Sequence, residues 1–151
     1  MQADANAAAV EPGEGGDLGS QVRSTVGRLH RRFRSERPDG TLGDAALAVL
    51  IRLYKYGPQT LTQLSEYDRV SPASMSQSVN RLTSAGYAVR TPDPADRRRV
   101  LFSATTEGSA IAQDARNLRN AWLDGHLQAL SAEDQRAIAR ACELLASIAD
   151  A

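Results

Sequence analysis

The chain has 151 residues, with 18 Lys and Arg against 18 Asp and Glu, and a single cysteine, Cys142. One cysteine excludes a disulfide scaffold, and no apolar run approaches the roughly 18 residues of a membrane span. The start, MQADANAAAVEPGEGG, has neither the basic opening nor the apolar centre of a secretory signal, so a soluble cytoplasmic protein, nucleoid-associated if it meets DNA, is expected.

The zero formal charge conceals a split. Residues 1–20 carry four acids and no base, residues 21–103 carry 14 bases and seven acids, and residues 104–151 carry four bases and seven acids. The middle is therefore strongly basic. Attraction to a polyanion depends on charge within about 10 Å at 0.1 M salt, not on the chain average.

Residues 1–17 lack apolar periodicity and read as a disordered acidic tail. From Leu18 a helical stripe follows, Val22, Val26, Leu29 and Phe33, with arginines on the other faces and an end at Arg37-Pro38. A second helix is expected over Asp44–Tyr56, with Leu47, Leu50, Ile51 and Tyr54 inward and Gly57-Pro58 as its stop. Thr60 and Gln63 have capping-box spacing for a short third helix ending near Tyr67. Ser71-Pro72 reads as N-cap and first residue of a fourth, with Met75, Val79 and Leu82 as its stripe and Gly86 as its left-handed terminator. Two strands, Tyr87–Arg90 and Arg99–Ser103, flank a Pro-, Asp- and Arg-rich tip. A long fifth helix from Thr105 or Thr106 carries Ile111, Ala115, Leu118 and Trp122. A last helix after Ser131 carries Ile138, Ala141/Cys142, Leu145 and Ile148.

The order α-α-α-α-β-β-α-α is mainly α with a small β-hairpin, and it matches a winged helix-turn-helix flanked by terminal helices. The chemistry agrees. At 100° per residue the fourth helix turns Ala73, Gln77, Asn80, Arg81 and Ser84 away from its stripe, with Ser74 on the flank. Amides pair with adenine edges and guanidinium with guanine. A solvated face would have a similar composition, so the tip carries more weight. Arg97, Arg98 and Arg99 stand in succession there and repel one another unless an anion is near. A minor groove about 6 Å wide supplies the needed negative potential. Asp96 is placed to brace the Arg98 guanidinium.

Over about residues 20–150 the chain resembles the MarR family of dimeric winged-helix transcription regulators. The resemblance rests on Leu61-Thr-Gln-Leu-Ser65, Val70-Ser71, Arg81-Leu82, Gly86-Tyr87, Arg90, Asp93-Pro-Ala-Asp96-Arg97-Arg98 and Ser103-Ala-Thr105-Thr106-Glu107-Gly108. It implies a homodimer on double-stranded DNA, with the fourth helix in the major groove and the wing in the minor groove. Asp96 and Arg98 match the family's wing pair, and Ser74, Ser76, Gln77 and Arg81 its recognition-helix positions; Asn80, Arg97 and Arg99 join them by face and position. The implied organisation is a helix over 18–38 and helices over 107–151 for dimerisation, with the DNA-binding domain at 41–106. The apolar stripes of the terminal helices exceed what so small a domain needs, which fits burial across a two-fold interface. Members also take small phenolic anions in a cleft between dimer helices and winged domain, which suggests Arg31, Arg34 and Tyr54 for an aromatic anionic effector.

His30 and His126 have no ligands at metal spacing, and no nucleophile motif or phosphate loop occurs, so neither metal, cofactor nor enzyme activity is expected. Cys142 reads as a buried structural thiol. The competing reading is a winged-helix protein–protein module without DNA binding, against which the arginine-rich tip argues.

Overall fold

A computed structural model of the chain describes residues 15–36 and 42–151. The acidic-tail expectation thus falls almost wholly outside the described residues, as does the end of the first helix at Arg37-Pro38. The first helix, α1 (Gly15–Ser35), belongs to one compact unit, and a second unit starts at Glu36. α1 begins ahead of Leu18. Asp17 sits in its first turn, where a carboxylate suits the helix dipole, and accepts from Gln21 Nε2 at 2.7 Å.

In the second unit α2 (Asp44–Tyr56) has the expected bounds and ends at Gly57, whose φ of 77° only glycine adopts at little cost. The next element, strand β1 (Gln59–Thr60), is one the sequence did not announce. Two residues are too few to show a period-2 pattern, and both are fixed by pairing: Gln59 lies opposite Phe102 and Thr60 opposite Leu101. Thr60 then caps α3 (Leu61–Asp68). Its Oγ1 accepts from Gln63 N at 3.2 Å, and Gln63 Oε1 accepts from Thr60 N at 2.9 Å, so the expected capping box is present. Arg69 closes α3 in the left-handed region at φ 53°, and is the one non-glycine residue with positive φ among those described.

Ser71 caps α4 (Pro72–Ser84) by accepting from Ser74 N. At the far end Tyr87 N donates to Leu82 O at 2.9 Å and Gly86 N to Thr83 O at 3.2 Å. That is the six-to-one, five-to-two closure that Gly86 was expected to permit, and its φ is 79°. Strands β2 (Ala88–Pro92) and β3 (Val100–Ala104) lie one or two residues beyond the expected bounds, and the antiparallel sheet runs β1-β3-β2. Thr105 ties this closure to α5 (Thr106–Gln128). Its Oγ1 donates to Gly86 O at 2.8 Å and accepts from Gly108 N at 3.0 Å, while its N–H donates to Tyr87 O. Gly108 packs so closely that a Cβ there would overlap the Tyr87 carbonyl and press on Leu50.

Leu50, Leu53, Leu64, Met75, Val79, Leu82, Phe102 and Ala112 form one core beneath α4 and the sheet. Each such Leu, Val, Met or Phe side chain stabilises the fold by about 1.5–3 kcal/mol. The core fixes α4 from below and so determines which of its faces is offered outward.

The final helix, α6 (Ala132–Ala149), is capped by Ser131, and none of its residues is buried. Ile138, Leu144, Leu145 and Ile148 are 38%, 49%, 36% and 70% exposed. Cys142 is exposed too, which corrects the expectation of a buried thiol. Periodicity placed it correctly beside the apolar stripe, but that stripe is itself exposed along α6. No described helix is long and apolar enough to cross a membrane.

Candidate nucleic-acid interface

Along α4 the residues Met75, Ser78, Val79 and Leu82 are buried, whereas Ala73, Ser74, Gln77, Asn80, Arg81 and Ser84 are exposed and Ser76 is intermediate. The polar face is thus outward. Its first turn is held by Ser71, whose hydroxyl accepts from Ser74 N at 3.1 Å and donates to Ser74 Oγ at 3.0 Å.

Two concavities flank this face. One is lined by Leu42, Gln77, Asn80, Arg81, Ser84 and Ala85. The other, about 560 Å³, lies between α4 and the wing and is lined by Thr60, Thr62, Ser76, Asn80, Arg90, Arg98, Arg99 and Phe102, among others. Asn80 lies on the ridge between them. No acid among the described residues lines either one. Four guanidinium groups, those of Arg81, Arg90, Arg98 and Arg99, therefore border the α4 ridge with no carboxylate in the walls. A field of this kind concentrates a polyanion.

The structure brings Ser76, Asn80, Arg98 and Arg99 together in one groove and sets Gln77 and Arg81 on the opposite side of the ridge. Arg97 stays exposed at the tip and lines neither concavity. Asp96 does not brace the Arg98 guanidinium. Its Oδ1 accepts from the backbone N–H of Arg98 at 3.0 Å, while its carbonyl accepts from Arg99 N at 2.9 Å. An aspartate two residues ahead makes this turn with the nearest backbone donor, which leaves the Arg98 side chain to the groove. Asp93 does the same with Ala95 N at 2.9 Å.

Sequence reasoning passed over three of the lining residues: Thr60, Thr62 and Arg90. Arg90 had a legible signal. In β2, Ala88 is buried toward the core and Arg90 follows two residues later on the same face. Its guanidinium lies 5.6 Å from the ring centroid of its cross-strand partner Phe102. Thr60 depends on β1 and had none, and neither had Thr62 in the first turn of α3.

The residues suggested for an effector are divided. Tyr54 is half-buried on α2, with the Arg116 guanidinium 5.9 Å from its ring centroid. Arg31 and Arg34 are exposed on α1, in the other compact unit. His126 Nδ1 lies 2.8 Å from the Trp122 carbonyl oxygen.

Residues 43–100, which include all of this interface but Leu42 and Phe102 at its edges, match the MarR family. An uncharacterized HTH-type transcriptional regulator of Mycobacterium bovis is 30% identical over 88% of this chain and 93% of its own length. The HTH-type transcriptional repressor NicR of Pseudomonas putida is 27% identical over 63% of each chain. Among solved structures, Bordetella bronchiseptica BpsR, described for regulation of its DNA binding by 6-hydroxynicotinic acid, superposes with a TM-score of 0.72 at 25% identity, covering 93% of this chain and 99% of BpsR. A MarR family protein from Bacillus stearothermophilus shares the fold, with a TM-score of 0.82 at 19% identity over 95% of this chain and all of the other. The chain belongs to the MarR family, and its curated relatives are helix-turn-helix transcriptional regulators.

Proposed function

We propose that the chain is a homodimeric, sequence-specific transcriptional repressor that acts on DNA in the cytoplasm. The carrying observation is the groove between α4 and the wing, where Ser76, Asn80, Arg90, Arg98 and Arg99 converge without an acid in the walls. Ser74, Ser76, Gln77, Asn80 and Arg81 read base edges in the major groove. Arg97, Arg98 and Arg99 enter the minor groove, and Asp96 shapes the wing turn that presents them. Residues 41–106 are the DNA-binding domain. Residues 18–38 and 107–151 are the dimerisation segments, and the uncovered stripe of α6 supports that role.

Occupying a promoter is enough to repress it. Release follows binding of a small aromatic anion, in line with the regulation of BpsR by 6-hydroxynicotinic acid. The test is titration of operator DNA with purified protein over a range of salt. A steep fall of affinity with salt, one counterion per neutralised phosphate, is expected. Equal weak binding to all DNA would overturn the sequence-specific reading.

A further inference from the structure

Arg52 lies in neither concavity flanking α4, yet it touches the supports of both DNA-facing arms. Its Nε donates to Gln59 Oε1 at 2.9 Å. Guanidinium has no acceptor, so the oxygen end of the Gln59 amide must face it. Gln59 is only 7% exposed and sits on β1 opposite Phe102 of β3. Phe102 in turn carries the Arg90 guanidinium. The Arg52 guanidinium also lies 3.3 Å from the ring centroid of Tyr67 and 5.0 Å from that of Tyr56. Tyr67 is in the last turn of α3, two residues before left-handed Arg69 and four before the α4 cap Ser71. One planar group thus joins the root of the wing to the entry of α4.

We infer that Arg52 is a positioning residue for DNA reading: through Gln59 and Tyr67 it sets the wing and α4 at one fixed spacing, and it does so without meeting DNA. The inference rests on the sequence-specific binding proposed above. Lysine keeps the charge but loses both the flat face for Tyr67 and the directed Nε–H for Gln59. A change in spacing weakens binding that needs both arms in register and spares binding that needs only charge.

The experiment measures operator and random-sequence affinity, salt dependence and thermal midpoint for wild type, Arg52→Lys, Tyr67→Phe, Tyr67→Ala and the Arg52→Lys/Tyr67→Ala pair. Arg52→Lys should lower operator affinity about tenfold, as contacts acting through one network do. Random-DNA affinity and the salt slope should not change, since no phosphate contact is lost. Tyr67→Phe should bind as wild type does, and the double variant no worse than the weaker single one.

Operator affinity unchanged in Arg52→Lys overturns the inference. So does an equal loss on operator and random DNA with a shallower salt slope, which makes Arg52 a phosphate contact. A lowered thermal midpoint with full operator affinity at the assay temperature also overturns it, because the role is then structural only. If wild type itself does not prefer operator to random DNA, the sequence-specific reading fails first; preference in wild type with no effect in Arg52→Lys sinks this inference alone.

Discussion

α4 and α6 are both amphipathic helices, of 13 and 18 residues, and their apolar stripes follow the same spacing. α4 buries Met75, Val79 and Leu82 to 1% exposure or less, whereas α6 buries nothing. The difference lies in what each meets. α2, α3 and the sheet close over the α4 stripe, while every residue of α6 is exposed. Most helix stability in proteins comes from packing the apolar face rather than from intrinsic propensity. Periodicity therefore identifies a face that will be buried, not the body that buries it. The winged region has a self-sufficient core, and the C-terminal helix is left to the proposed partner chain.

Substitutions matched across the two regions test that contrast. Leu82→Ala, in the core under α4, should lower unfolding free energy by about 2–5 kcal/mol, as followed by urea denaturation. Leu145→Asp on α6 should leave the winged region folded, with its circular dichroism intact, and shift the species seen in sedimentation velocity from dimer to monomer. If Leu145→Asp unfolded the winged region while leaving mass unchanged, the division into two regions would be wrong.

At the interface, Arg98→Ala should weaken operator binding by roughly 1–3 kcal/mol, the size of one good groove contact, and leave the thermal midpoint where it was. Unchanged affinity in a gel-shift titration would remove Arg98 from the wing contact.

The smallest effect concerns Asp68 at the end of α3. Burial pushes its carboxyl above the ordinary aspartate value, against the lowering pull of Arg52. A raised carboxyl binds its proton more tightly folded than unfolded. Its stabilising contribution is present below the ordinary aspartate pKa and is lost as pH rises through the folded value. At neutral pH Asp68 is thus a net liability. Asp68→Asn should raise the thermal midpoint slightly at pH 7, with the advantage shrinking as the solution is acidified. A lower midpoint at pH 7 would mean that the Arg52 attraction outweighs burial.

Much of this fold was legible because its helices carry local signals at both ends. Gly57, the Thr60–Gln63 box, Ser71-Pro72 and Gly86 each do in the structure what their chemistry requires. β1 was not legible. Its two residues are strand only because β3, some forty residues away in sequence, pairs with them. The same non-local cause hid Thr60 from the interface. Arg90 was readable from strand alternation but was outweighed by the conspicuous arginine run at the tip. The misassigned bond of Asp96 has a simple reason: a backbone donor two residues on is nearer than any guanidinium. Cys142 is exposed because the stripe beside it lies uncovered on α6; burial there was expected from a second copy of the chain, not from local signals.

The central claim is that two copies of this chain, each offering α4 and an arginine-bearing wing, read one DNA site together. Selection of bound sequences from a random duplex library tests it most directly. The account predicts enrichment of an inverted repeat whose half-sites are about 34 Å apart, one helical turn centre to centre. Recovery of the input library without enrichment, or of a single unrepeated motif, would contradict it.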